Sequence, residues 1–175
     1  MTKLLGLSGS LRAGSFNTML VKEAAALFAA DTFKMGDLRL PLYDGDLEEQ
    51  GMPAEVERLV EDMRWADAIV MSTPEYNWGP SGVLKNALDW ASRFKPAPMG
   101  GKPLALVSAA AGMSGGQRAK TTMYPLLIPF GVKMVYTPEV NIGAAHTKFD
   151  DQGKLADDGA VKFLGQLMDN LKAAL

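Results

Sequence analysis

Short apolar runs alternate with stretches of helical periodicity along the whole chain, and this alternation is the feature that most limits the possible folds. The runs have the length and composition of strands that are buried on both faces. The stretches between them repeat apolar residues at spacings of three and four, as amphipathic helices do. Strands that alternate with helices are joined by right-handed crossovers, so the sequence predicts a parallel sheet with helices on both faces.

Five strands and five helices are predicted from this pattern. The strands are Lys3–Gly9, Asp31–Met35, Ala68–Ser72, Leu104–Ala109 and Lys133–Tyr136. The helices are Thr18–Ala30, one that begins at Pro53, Ser81–Ala91, Gln117–Phe130 (which Pro125 and Pro129 should kink or end) and a last one that carries Val161, Leu164, Met168 and Leu171. Gly36–Met52 and Thr137–Asp157 are expected to be irregular. The pattern fits a flavodoxin-like α/β sheet of order 2-1-3-4-5, formed by a single domain over residues 1–175.

Composition limits the chemistry that such a fold can carry. The chain has no cysteine, which excludes thiolate catalysis, disulfides and cysteine-ligated metals, and its single histidine, His146, excludes a multi-histidine metal site. A formal net charge of −2 argues against nucleic-acid binding. Neither a membrane-spanning run nor a signal peptide is recognisable. We therefore expect a cytoplasmic protein, not bound to membranes, that uses organic-cofactor chemistry.

Ligands in this fold bind beyond the carboxyl ends of the strands, where the strand order reverses. Three unusual loops are expected there, and we name them the first loop (Gly9–Asn17), the second loop (Thr73–Pro80) and the third loop (Ala110–Gly116). The first loop precedes a helix, whose free N–H groups attract phosphate. It also supplies the donors Ser10, Ser15 and Asn17 and the cation Arg12. Ser15 or Asn17 could instead serve only as a helix cap.

The first loop matches neither common nucleotide-binding motif. It lacks the Gly-x-Gly-x-x-Gly of dinucleotide sites and the Gly-Lys-Ser/Thr of P-loops. A monophosphate therefore suits it better than a triphosphate. The second loop carries two aromatic residues and an amide, which can hold a planar ring. The third loop is rich in glycine, so its backbone can approach a ligand closely. Together the three loops predict an FMN site.

Three ordered motifs resemble the NAD(P)H-dependent FMN reductase family, which includes quinone- and chromate-reducing flavoenzymes. They are Gly9-Ser10-Leu11-Arg12-x-x-Ser15-x-Asn17, Pro74-Glu75-Tyr76-Asn77 and Leu84-Lys85-Asn86-Ala87-Leu88-Asp89-Trp90. The resemblance implies that Ser10, Arg12, Ser15, Phe16 and Asn17 bind the FMN phosphate, that Pro74, Glu75, Tyr76 and Asn77 bind the ring and ribityl chain, and that Ser108, Gly112 and, more weakly, Gly115 cover the pyrimidine side. It assigns no role to Trp78.

The predicted function is therefore an FMN-dependent NAD(P)H oxidoreductase of quinones and other small acceptors, such as free flavin, ferric chelates or chromate. Hydride passes through flavin N5 in ping-pong turnover, with no catalytic side chain and no metal. NADH and NADPH stay open as donors. The helices at Ser81–Ala91 and Gln117–Phe130 carry broad apolar surfaces, which predict a homodimer or homotetramer, as the resemblance also does.

Two other functions are compatible with parts of the sequence. An electron-carrier flavodoxin would share the fold and the cofactor but would not oxidise NAD(P)H. A serine hydrolase is suggested by Gly112-Met113-Ser114-Gly115-Gly116, with Glu139 and His146 following in hydrolase order. His146 is either a surface residue or a gate or proton donor to a neighbouring subunit.

Overall fold

A six-stranded parallel sheet organises the chain, and the computed structural model describes all 175 residues. The strands are β1 (Lys3–Ser8), β2 (Thr32–Met35), β3 (Ala68–Thr73), β4 (Pro103–Ala109), β5 (Lys133–Val135) and β6 (Asn141–Ile142). Their order is β2-β1-β3-β4-β5, and β6 pairs with β4 beyond the end of β5. The predicted flavodoxin-like sheet is confirmed. Strand β6 lies in a segment predicted to be irregular, because two residues are too few for a periodic signal.

Six helices flank this sheet. They are α1 (Phe16–Phe28), α2 (Gly45–Gln50), α3 (Ala54–Trp65), α4 (Gly82–Ala91), α5 (Gln117–Leu127) and α6 (Asp158–Ala173). Helix α2 was not predicted, and its first turn is capped by the carboxylate of Asp44. Helix α5 includes Pro125 and ends soon after it in a 3-10 turn that contains Pro129. No helix combines the length and the apolar character that a membrane crossing needs.

Successive residues of the central strands belong to two different cores, one on each face of the sheet. Leu4 and Val70 face the core that α1 and α6 close, whereas Leu5 and Met71 face the core closed by α3, α4 and α5. Side chains alternate between the faces of a strand, so a strand covered on both faces must be apolar throughout. This explains why the strands are continuous apolar runs. The polar residues are concentrated in the loops at the ends of the strands.

The segment between β2 and α2 covers α4. The apolar surface of this helix is one of the two helix surfaces that predict a homodimer or homotetramer. The Asn86 side chain accepts a hydrogen bond from the Tyr43 N–H and donates one to the Pro41 carbonyl, both at 2.8 Å. The Trp90 indole N–H donates to the same carbonyl, and the Trp90 side chain is fully buried. The apolar face of α4 is therefore buried within the chain and needs no second subunit to cover it.

Candidate functional site

A cavity of about 350 Å³ lies among the three loops at the carboxyl ends of β1, β3 and β4. Nine of the twelve predicted site residues line it: Ser10, Arg12, Ser15, Phe16, Asn17, Pro74, Glu75, Tyr76 and Gly112. Asn77, Ser108 and Gly115 do not. Four further residues line the cavity without an individually predicted role: Ala109, Ala110, Ala111 and Ser114, of which the last three belong to the third loop. The alanines contribute mainly backbone, so their side chains carry no recognisable signal.

The start of α1 presents unpaired backbone donors to this cavity. Ser15 caps the helix, because its Oγ accepts a hydrogen bond from the Thr18 N–H at 3.3 Å. The N–H groups of Phe16 and Asn17 have no acceptor within the chain. These donors and the positive end of the helix dipole suit a phosphate group. The hydroxyl hydrogen of Ser15 remains available to donate as well.

The side chain of Asn17 has a structural role in addition to the predicted one at the cofactor. Its Oδ1 accepts hydrogen bonds from the Ser72 hydroxyl at 2.7 Å and the Ala109 N–H at 3.1 Å. Its Nδ2 donates to the Ala109 carbonyl at 2.9 Å. The buried amide therefore ties α1 to the ends of β3 and β4. The backbone N–H of Asn17 has no acceptor within the chain and is free to bind an anion.

Arg12 is the cation at the mouth of the cavity. Its side chain is exposed, and one Nη2 donor bonds to the Gly14 carbonyl at 3.2 Å. A guanidinium has five N–H donors, so most of them remain free. Arg12 is therefore held near the first loop while its other donors can reach a phosphate.

The second loop contains a tight turn closed by two hydrogen bonds between Tyr76 and Gly79, each of 3.0 Å. The two central residues, Asn77 and Trp78, both have positive φ, at 50° and 65°. This matches a type I′ turn, which favours asparagine at its first central position and glycine at its second. Trp78 is 70% exposed, and the Arg118 guanidinium lies 4.5 Å from its ring. The turn thus exposes Trp78 to solvent next to Tyr76, which lines the cavity.

Glu75 connects the second loop to α5. Its Oε2 accepts hydrogen bonds from the N–H groups of Arg118 at 3.0 Å and Ala119 at 3.2 Å. Helix α5 begins after Gly116, which has no side chain to cap it. The Glu75 carboxylate supplies that cap from another loop, and its charge complements the positive end of the helix.

Ser108 and Gly115 shape the third loop from behind. The buried Ser108 Oγ lies 2.7 Å from the Gly115 carbonyl oxygen and 2.9 Å from Asn141 Oδ1. Gly115 has a φ of 63°, and a Cβ there would lie 2.7 Å from the carbonyl carbon of Asn141. Only glycine fits both conditions. The backbone from Ala110 to Gly112 is thereby held at the cavity.

A buried ion pair lies outside the cavity, on α5. Lys120 is 1% exposed, and its Nζ lies 3.3 Å from Oε1 of the half-exposed Glu139. Burial lowers the pKa of Lys120, and the Glu139 charge partly opposes that shift. Burial also raises the pKa of the nearby Tyr124 hydroxyl.

The residues of the suggested serine hydrolase are not assembled into a triad. No hydrogen bond joins Ser114, Glu139 and His146. Glu139 pairs with Lys120 instead, and His146 is exposed on a 3-10 turn. A nucleophile without a base in reach cannot be activated in this way. The hydrolase alternative has no support in this geometry.

A larger cavity, of about 530 Å³, lies at the opposite edge of the sheet, between Thr2, Asp67 and Lys133. That edge holds the amino ends of the strands, whereas ligands of open α/β sheets bind at the carboxyl ends. The cavity among the three loops is therefore the better candidate site despite its smaller volume.

Comparison with known proteins identifies the family to which the chain belongs. The family model described as NADPH-dependent FMN reductase matches residues 2–147, which is most of the chain. The chain belongs to this family. An NAD(P)H-dependent FMN reductase of Pseudomonas aeruginosa is 42% identical to this family member over 97% of the chain and 93% of the relative. A quinone reductase of Escherichia coli K12 is 38% identical over 94% of the chain and 91% of the relative.

The family member also has a close structural counterpart. The flavoenzyme NAD(P)H:(acceptor) oxidoreductase FerB of Paracoccus denitrificans superposes with a TM-score of 0.88 at 30% identity, covering 99% of this chain and 96% of that one. These findings confirm the predicted oxidoreductase class and the predicted use of FMN and NAD(P)H. They also decide against an electron carrier, because the family is one of reductases.

The residues present fit FMN on structural grounds. The free N–H groups of Phe16 and Asn17, the Ser15 hydroxyl and Arg12 form a cradle for one phosphate group. Beyond that cradle, Pro74 to Tyr76 and Ala110 to Gly112 form two facing walls. A cavity with a phosphate cradle at one end and two loop walls at the other matches a flat ring that carries a phosphate tail.

Proposed function

We propose that this reductase transfers reducing equivalents from NAD(P)H to quinones with FMN held among the three loops. The observation that carries the proposal is the cavity itself, which has a phosphate cradle at the start of α1 and loop walls at the ends of β3 and β4. The similarity to quinone reductases supports quinones as the acceptor class.

Each part of the site has a separate proposed role. Ser10, Arg12, Ser15 and the N–H groups of Phe16 and Asn17 hold the phosphate, and Pro74, Glu75, Tyr76 and Asn77 position the ring and ribityl chain. Ser108, Gly112 and Gly115 set the backbone on the pyrimidine side. When bound, FMN supplies the hydride chemistry, so no side chain of the chain is required as acid or base. The N–H groups of the third loop are placed to stabilise negative charge at their side of the cavity.

Turnover is proposed to be ping-pong, with the nicotinamide and the acceptor entering in turn. The three loops supply the walls of the cavity, and Tyr76 on one wall, with the exposed Trp78 two residues along the same turn, offers aromatic surface to a planar substrate. Two planar substrates that need the same surface must alternate. Free flavin, ferric chelates and chromate are further proposed acceptors, because an open rim selects weakly among small oxidants.

The proposed assembly is a homodimer or homotetramer whose subunits each form one FMN-binding domain over residues 1–175. Leu42, Trp78 and Met113 are 80%, 70% and 87% exposed, and a subunit interface that brought them together would bury their apolar side chains. The proposed location is the cytoplasm, where NAD(P)H is available.

Steady-state kinetics tests the proposed function. The protein is reconstituted with FMN, and NADH or NADPH oxidation is followed with 1,4-benzoquinone as acceptor. We expect FMN-dependent oxidation and parallel double-reciprocal lines. The matched control is the same protein offered FAD, whose second phosphate and adenosine exceed the single-phosphate cradle. Oxidation without flavin, or no oxidation with FMN, contradicts the function, and intersecting lines contradict the ping-pong order alone.

A further inference from the structure

A second cavity adjoins the proposed FMN site on the other side of the first loop. Its volume is about 310 Å³, and it lies between that loop and the segment that follows β2. Ser10 and Arg12 line both cavities, so the first loop is a wall that they share. A molecule that reaches into the FMN cavity across this wall would therefore place its far end in the second cavity.

The second cavity combines apolar residues with a small charged group. Arg12 on the first loop and Arg39 on the segment after β2 both line it, and Asp37 is the one carboxylate that does. The hydroxyls of Ser8 and Thr18, 2.9 Å apart, also line it. Arg12 is assigned to the FMN phosphate, so Arg39 is the guanidinium that remains for a second anion, and guanidiniums are the side chains best suited to phosphate oxygens.

The backbone around Arg39 is fixed, which distinguishes it from an arginine on a loose surface loop. On one side of it, Leu38 is buried in the core. On the other side, the Pro41 carbonyl accepts the hydrogen bonds from Asn86 and Trp90 that hold this segment against α4. The Arg39 N–H and Nη1 both bond to Asp37 Oδ1, at 3.0 and 3.2 Å. Site residues held by such second contacts lose less freedom when a ligand binds.

We propose that the second cavity binds the 2′-phosphate of NADPH, with Arg39 as the residue that favours NADPH over NADH. This inference rests on the proposed function, in which the nicotinamide of the same donor enters the FMN cavity. A phosphate monoester can pair with Arg39 and bond to the hydroxyls of Ser8 and Thr18. NADH offers a ribose hydroxyl at that position and gains no charge pairing. Asp37 competes with the phosphate for Arg39, so it limits the preference.

Kinetic constants for both donors form the first test. In Arg39→Gln we expect the KM for NADPH to rise roughly ten-fold, the size of a lost charge-assisted contact at an exposed site, while the KM for NADH stays unchanged. Asp37→Asn should lower the KM for NADPH relative to the KM for NADH, because Arg39 then has no carboxylate partner. Arg58→Gln is the control, since Arg58 is exposed on α3 and lines neither cavity. Equal changes for both donors, or none, overturn the proposal.

A binding measurement tests the subsite without turnover. FMN-loaded protein is titrated in a calorimeter with adenosine 2′,5′-bisphosphate, adenosine 5′-monophosphate and inorganic phosphate. We expect the bisphosphate to bind roughly ten-fold more tightly than the other two, and this difference to disappear in Arg39→Gln. Equal binding of the two nucleotides, or phosphate binding as tight as the bisphosphate, overturns the assignment. If no donor is oxidised, the proposed function fails while the titration still decides the subsite.

Discussion

At the scale of single residues, Asn17 shows why a motif does not reveal what each of its side chains does. The motif predicts a role for Asn17 at the phosphate, and in the structure its amide also bonds to Ser72 and Ala109, while its backbone N–H has no acceptor within the chain. A residue at the start of a helix can bind an anion through its side chain or through its backbone N–H. The packing of β3 and β4 against α1 determines which of these groups bonds within the chain. The same holds for Ser108 and Glu75, whose side chains bond to other parts of the chain.

Replacement of Asn17 should therefore affect stability strongly. Asn17→Ala leaves the buried Ser72 hydroxyl and the Ala109 carbonyl without the Asn17 amide as partner, and each such group costs about 1–3 kcal/mol. We expect the free energy of unfolding, measured with urea, to fall by about 2 kcal/mol or more. The control is Asn170→Ala, which removes a single exposed hydrogen bond to the Thr137 carbonyl. Equal losses in the free energy of unfolding in both variants would show that the Asn17 hydrogen bonds stabilise the fold no more than one exposed hydrogen bond does.

Arg12 tests the phosphate cradle directly. We expect Arg12→Ala to raise the dissociation constant of FMN roughly ten-fold, near the lower end for a charge-assisted contact because the side chain is exposed. Fluorescence quenching of free FMN on titration with apoprotein measures the change. The effect should weaken in high salt, since screening reduces the contribution of the guanidinium. An unchanged affinity would remove Arg12 from the phosphate site.

The Lys120–Glu139 pair gives a pH dependence whose sign follows from burial. Because burial lowers the pKa of Lys120, the unfolded chain holds more protons than the folded one between the lowered pKa and 10.5, and stability rises with pH in that window. Lys120→Met should remove this rise and raise the free energy of unfolding at pH 7, because it removes the cost of burying a charge while the half-exposed Glu139 is left to be hydrated. Glu139→Gln should lower the free energy of unfolding, because it removes the partner of a buried cation. The loss should be about 1 kcal/mol, since Glu139 is half exposed. Urea titrations at several pH values measure both variants.

At the scale of elements, the sequence predicts helices and strands that show a periodic apolar pattern. It does not predict segments whose conformation is fixed by a few contacts with residues far along the chain. The strands and the helices α1, α3, α4, α5 and α6 follow from apolar runs and spacings, because each must bury a face against the sheet. Helix α2 has no buried residue, so it leaves no apolar signal, and β6 has two residues. The segment between β2 and α2 is fixed by Asn86 and Trp90, which lie far along the chain.

The turn of the second loop carries strain at Trp78. A non-glycine residue with positive φ costs about 1–3 kcal/mol, while the exposed cation–π contact with Arg118 returns about 0.5–1 kcal/mol. Trp78→Gly should therefore raise the free energy of unfolding by up to about 2 kcal/mol. If the indole holds planar acceptors at the rim, the same variant should raise the KM for benzoquinone. A loss of stability with an unchanged KM would contradict both parts.

At the scale of the whole molecule, the two cores explain where function can sit. Both faces of the sheet are covered by helices of the same chain, so only the edges that hold the loops are left for ligands. The amino edge offers a cavity without a helix N-terminus among its lining elements, whereas the carboxyl edge combines α1 with three polar loops. The fold and the candidate site location therefore follow from the same strand–helix alternation. The sequence predicts nine of the lining residues, whereas the lining alanines and the bonds of each side chain need the structure.

The last prediction concerns assembly, and it rests on an exposed apolar side chain because α4 is covered within the chain. Leu42 lies between Pro41 and Tyr43, both of which bond to Asn86, and its side chain is 80% exposed. If this surface joins two subunits, light scattering at micromolar concentration should give a mass about twice the 18.8 kDa of one chain. Leu42→Glu should then yield monomers, because a buried charge opposes association. Phe163→Glu, at an exposed site on α6, is the control. A fully active wild-type monomer would refute the shared interface.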